Sequence, residues 1–87
     1  MNIEHDTTAD AIYIRLRRKR YARGTDLDDS RRVDYAADGD PIGIELLNVS
    51  LGVNLDDLPR AAEVAKLLET RGIMVLDPGR MQHRGPL

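Results

Sequence analysis

The chain has no cysteine, no tryptophan and no phenylalanine, and its aromatic side chains are three tyrosines, Tyr13, Tyr21 and Tyr35. The lack of cysteine excludes disulfide staples and thiolate metal sites. The lack of large aromatics means that any core must be built from Ile, Leu, Val and Ala, within 87 residues. A chain of that length buries a limited share of its surface, and ordering it costs about 1.5 kcal/mol per residue. Marginal stability as a monomer, with self-association completing the core, is therefore expected. No apolar run approaches the roughly 18 residues that a membrane-spanning helix needs. The opening "MNIEHDTTADA" is polar and acidic, with no basic segment leading into an apolar one, so it does not read as a secretory signal. A cytoplasmic protein without a membrane partner is the expectation.

Net charge is small, -2, but the signs are segregated. Arg15 to Arg23 carries six basic residues and no acid. Gly24 to Glu45 carries seven acids against Arg31 and Arg32. Such asymmetry matters more than the average.

Hydrophobic periodicity organises the first half. Met1 to Asp6 alternates, with Met1, Ile3 and His5 on one side. The turn formers "DTTAD" follow, and alternation resumes over Ala11 to Arg17, where Ile12, Ile14 and Leu16 share a face opposite Ala11, Tyr13, Arg15 and Arg17. These segments predict a hairpin. Arg18 to Asp29 is charged and without period, and reads as an exposed excursion. Val33 and Tyr35 alternate inward. Asp38-Gly39 is a strong turn signal, and Ile42, Ile44 and Leu46 then face away from Gly43 and Glu45, which predicts a second hairpin.

The segment "NVSLGVNLDDLP" keeps enough apolar residues to lie against the body, and it leaves room for a short extended piece. A helix is then predicted, capped by Asp56 or Asp57, with Pro59 in its first turn, an apolar stripe of Ala61, Val64, Ala65 and Leu68 widened by Leu67, and a stop at Gly72. Ile73 to Leu76 reads either as a short fifth strand or as a packed tail. The expected fold is α+β: an antiparallel sheet of about four strands from two successive hairpins, one face covered by the C-terminal helix. The expected organisation is a single domain over residues 1–79 and a flexible tail over 80–87.

The segments "DTTADAIYIRL" and "VDYAADGDPIGIELLNVS" carry a pattern. Asp6, Asp10, Tyr13, Ile14 and Leu16 are followed by Val33, Asp38, Gly39, Gly43, Ile44, Glu45, Leu46 and Leu47. In order and spacing this resembles domain-of-unknown-function family 2283, over roughly Met1 to Ser50. Tyr35 and Ala36 depart from it near a place where many members carry Asp or Asn. The helix is similar to an extension seen in some members. The resemblance implies no catalytic residue and no cofactor. Because some members are encoded beside small toxin-like proteins, it implies an antitoxin-like role as a lead.

The residues themselves offer few sites. "DYAADGDPIGIE" approaches a calcium-loop spacing, but Ala36 stands where an oxygen ligand is needed and both flanks read as strands. Structural roles fit these acids better: turns for Asp6, Asp10 and Asp38, and cross-strand pairing of Glu45 with Arg15, Arg17 or Arg32. His5, on the first strand, and His83, in the expected tail, read as structural hydrogen-bonders, Ser30 and Ser50 have no plausible base nearby in sequence, no serine sits in a nucleophile elbow, and no glycine loop cradles phosphate. A non-enzymatic protein is expected.

The candidate interaction surface is the basic run with its tyrosines: Tyr13, Arg15, Arg17, Arg18, Lys19, Arg20, Tyr21 and Arg23. Arginine and tyrosine suit protein interfaces, and a protein-binding module with a small protein partner is the leading reading. The runner-up is a nucleic-acid-associated regulator using Arg15 to Arg23. Against it, the predicted helix is not basic outward, since Glu63, Lys66 and Glu69 offset one another. A solvated edge that discourages aggregation is the third reading.

Overall fold

In the structure, a computed structural model, residues 1–76 are described. Two segments that alternate in sequence alternate in space. Strand β1 (Asn2–Asp6) pairs antiparallel with β2 (Ala11–Arg15), with Ile3 opposite Ile14 and Glu4 opposite Tyr13. Between them the Asp6 carboxylate accepts the Ala9 N–H at 3.0 Å, and Asp10 takes a left-handed φ of 56°. The turn roles read for these two aspartates hold.

Strands β4 (Arg31–Tyr35) and β5 (Pro41–Leu47) form the hairpin announced by Asp38-Gly39. Gly39 has φ 92° and donates its N–H to the Ala36 carbonyl at 3.0 Å. A residue with a β-carbon is disfavoured at that dihedral.

The charged segment Arg18 to Asp29 is not an excursion throughout. Arg23–Asp28 forms strand β3, antiparallel to β4, with Thr25 opposite Val33 and Asp26 opposite Arg32. The sheet thus has five strands from three hairpins, in the order β1-β2-β5-β4-β3. All neighbours are antiparallel, and the edge strands β1 and β3 do not pair with each other, so the sheet does not close into a barrel. One face is apolar: Ile12, Ile14, Val33, Ile44 and Leu46 are each at most 1% exposed. The assignment of Ile12, Ile14 and Leu16, and of Ile42, Ile44 and Leu46, to the buried face holds.

The chain divides into two compact units, Met1–Val49 and Ser50–Leu87. In the second, strand β6 (Val53–Asn54) pairs in parallel with β7 (Val75–Leu76), and helix α1 (Ala61–Thr70) connects them. The extended piece in the bridge and the strand at residues 75–76 therefore pair with each other and do not add to the large sheet. Parallel pairing needs such a crossover. Val64 and Leu68 of the predicted stripe are buried, and Ala61, Ala65 and Leu67 are half-buried.

The expected start of the helix is not formed. Arg60, with φ 53°, is the N-cap residue and makes no capping bond; its guanidinium grips Glu63 at 2.6 and 2.9 Å. Asp57 is held left-handed, and the Leu58 N–H closes a turn onto Leu55, so the aspartates are spent one turn too early. The predicted stop at Gly72 is formed. Gly72 has φ 74°, its N–H bonds Glu69, and the Ile73 N–H bonds Leu68. That pair of bonds satisfies helix carbonyls that would otherwise be orphaned. The tail expected over residues 80–87 lies outside the described residues. Among the described residues, no helix is long and apolar enough to cross a membrane.

Candidate interaction face

The second face of the large sheet is polar, and its register defines two rows. One row runs Glu4, Tyr13, Glu45, Arg32, Asp26, a residue from each strand. The neighbouring row runs Asn2, Arg15, Gly43, Asp34, Gly24. The long side chains of the first row lean over the glycines of the second. A β-carbon at Gly43 would fall 1.8 Å from the Tyr13 hydroxyl, and one at Gly24 would fall 2.3 Å from the Arg32 guanidinium. Close approach therefore disfavours a β-carbon at Gly43, and at Gly24 unless the flexible end of Arg32 gives way.

Leaning brings the chemistry together at Asp34. The Tyr13 hydroxyl donates to Asp34 Oδ2 at 3.0 Å, and Arg32 Nε donates to Oδ1 at 3.2 Å. The Asp34 side chain is only 14% exposed, so a carboxylate there needs both donors. Arg32 also reaches Asp26 Oδ1 at 3.0 Å and the Tyr21 hydroxyl at 3.1 Å. This web holds the Arg32 guanidinium well above its ordinary pKa, Tyr21 and Asp26 contributing most. Burial, and then Asp34, push the Tyr13 hydroxyl above the usual tyrosine range. The Arg15 guanidinium lies 5.8 Å from the Tyr13 ring centre, within cation–π range.

The basic run is dispersed by this fold. Arg15 ends β2 beside Tyr13. Arg17 approaches Asp40 at 4.0 Å. Lys19 folds onto the β4–β5 turn, 2.7 Å from Asp38 and 2.5 Å from Asp40, which raises its pKa and lowers that of Asp38. Arg23 belongs to β3, and its guanidinium stacks on the Tyr35 ring at 5.0 Å. Arg18 and Arg20, both exposed, make no side-chain hydrogen bond or ion pair among the described residues. Tyr21 is 53% exposed and joins the face through Arg32.

Arg32, Asp34, Gly24 and Gly43 were not visible as site residues from sequence, because their meeting depends on register. The signal present was the pairing of small residues with large ones across strands. The expected pairing of Glu45 with an arginine is not formed. Arg32 turns toward Asp34, Asp26 and Tyr21, and Glu45 stands exposed, its side chain without a hydrogen bond or ion pair among the described residues. Two clefts flank it. One of about 210 Å³ includes Glu4, Asp6, Ala11 and Tyr13, and one of about 390 Å³ includes Asp26, Asp28, Ser30 and Arg32. No group of three or more His, Asp or Glu is placed to hold a metal ion among the described residues.

A family model described as a protein of unknown function, DUF2283, matches residues 2–50. No curated protein and no solved structure matches the chain. The matched segment ends with the large sheet and contains every residue of the polar face. The chain belongs to the DUF2283 family.

Proposed function

We propose, taking membership of the DUF2283 family as the premise, that this chain is a small non-enzymatic protein-binding module and that the polar sheet face around Tyr13 and Arg32 meets the partner. The observation that carries this reading is Tyr13 and Arg32 held by Asp34 and Asp26 over a glycine floor, with the Tyr21 hydroxyl accepting from Arg32. Tyr and Arg dominate binding energy at protein interfaces, and side chains already fixed lose less entropy on binding. Carboxylates interleave the cations, a mixed pattern that suits a protein surface better than a phosphate backbone. Arg17 and Lys19 are engaged by Asp38 and Asp40, which weakens the nucleic-acid reading. A neutralising partner for a small toxin-like protein is the specific form of this proposal that the family suggests.

The test is capture by the tagged protein from its native lysate after nuclease treatment, run beside a Tyr13→Ala variant. A single protein retained in stoichiometric amount by the parent and lost by the variant supports the reading. Capture that disappears with nuclease transfers the function to Arg18, Arg20 and their neighbours. Recovery of its own chain alone makes the face a self-association surface and sinks the hetero-partner.

A further inference from the structure

The open sheet has two edges, and they are not equally protected. Edge strand β3 has a register irregularity between Asp26 and Asp28, carries Gly24, and alternates charge along Arg23, Asp26 and Asp28. Bulges and charges of this kind blunt an edge. Edge strand β1 runs in regular register along all five residues, Asn2 to Asp6, with no bulge, proline, lysine or arginine. Its outer backbone N–H and C=O groups form a template for one more strand.

We propose that β1 is a strand-addition edge and that its occupant is an extended segment of a partner protein with basic residues at alternate positions. This rests on the protein-binding reading above and names the partner's chemistry. Charge selects the occupant. Glu4 and Asp6 lie on the polar face, the Glu4 side chain has no hydrogen bond or ion pair among the described residues, and the strand offers no lysine or arginine to offset them. Two copies of β1 paired antiparallel over their full length are centred on Glu4 and set one Glu4 against the other. Parallel in-register copies set both acids against themselves. Like charges directly opposite are unfavourable, so the edge selects against a second copy. A lysine or arginine opposite Glu4 and another two residues along, opposite Asp6, satisfies the polar face. Intervening apolar residues then lie beside the half-buried Ile3 on the other face.

The test uses the full chain, isotope-labelled, at low salt. It is titrated with two capped peptides of about seven residues, one alternating lysine with valine and one alternating glutamate with valine. The lysine peptide is expected to slow amide exchange across Asn2 to Asp6 and to bind about tenfold more tightly than the glutamate peptide. Glu4→Lys, at a side chain with no bonding role in the fold, is expected to erase or invert that preference. Equal affinity for the two peptides overturns the proposal. So does protection falling on Arg23 to Asp28, absence of binding by either peptide, or protection of Asn2 to Asp6 that rises with protein concentration alone. If the edge fails while nuclease-resistant capture still depends on Tyr13, the protein-binding reading stands without this edge. If that capture is absent as well, both fall.

Discussion

On one side of the sheet Ile12, Ile14, Val33, Ile44 and Leu46 are shielded almost completely from water. On the other side the same strands carry Tyr13, Arg32, Asp34 and Glu45, tied together by hydrogen bonds or left exposed. The first face is selected by area: each buried branched side chain contributes about 1.5–3 kcal/mol, with no direction attached. The second is selected by geometry, because an ion pair in partial solvent contributes about 1 kcal/mol or less and survives only where donors and acceptors meet. The apolar face should govern stability, and the polar face recognition.

The sharpest way to break that division is at the apolar face. Ile14→Ala or Ile44→Ala is expected to cost about 2–5 kcal/mol, from lost transfer energy and the cavity left behind. Urea denaturation measures it. In a domain this small, either change consumes much of the total stability. A melt unchanged by both substitutions would invert the assignment of the faces.

Next come the two glycines of the polar face. At Gly43, a β-carbon displaces the rigid Tyr13 ring and breaks its bond to Asp34. Gly43→Ala is expected to destabilise by about 1–3 kcal/mol. Gly24→Ala meets the end of the flexible Arg32 side chain, which can give way, and is expected to stay within about 1 kcal/mol. Equal costs at the two positions would mean that the Tyr13 stack is not rigid. Tyr13→Phe isolates the hydroxyl: a loss of about 0.5–1.5 kcal/mol is expected. The folded state holds the Tyr13 pKa above its ordinary value. Its contribution is therefore present below the unfolded pKa near 10 and fades as pH rises through the folded value. An ultraviolet titration of parent against Tyr13→Phe reads that step directly.

What could be read from sequence follows the same division. Strands β2, β4 and β5 were legible because one face of each is apolar and the other polar, so period two shows through in Ile12–Ile14, Val33 and Ile42–Ile44–Leu46. Strand β3 was hidden because it is an edge: Thr25 and Asp26 are exposed, Leu27 falls at the irregularity, and no apolar alternation remains. The tyrosines and arginines were visible as candidates, but their grouping was not. Tyr13 and Asp34 are 21 residues apart and meet only through the β2-β5-β4 order. The helix stripe was legible and its cap was not, since capping depended on a turn formed by Leu55 and Leu58.

The smallest expected effect concerns whether the basic run contributes to the fold at all. Lys19 is held by Asp38 and Asp40 on the exposed β4–β5 turn, and Asp28 is held by the Ser30 N–H and Arg31 on the turn before β4. Hydrogen bonding lowers the folded-state pKa of Asp38, mainly through Lys19 and then the Asp40 N–H, and that of Asp28, mainly through Ser30 and then Arg31. A depressed carboxylate stabilises the fold above its unfolded pKa, about 3.9, and that contribution is lost as pH falls through the lower folded value. Lys19, raised by the same pair, contributes below its unfolded pKa and loses that contribution as pH rises through its folded one. Thermal melts of the parent and Lys19→Met should therefore differ little at neutral pH. Their small difference should shrink both in strong acid and in strong base, and it should shrink with added salt, because both partners are exposed. A difference that grows in acid would show that Lys19 is tethered by something other than these carboxylates. The basic run would then have a structural role, and would no longer be a set of cations held in place by the turn beside it.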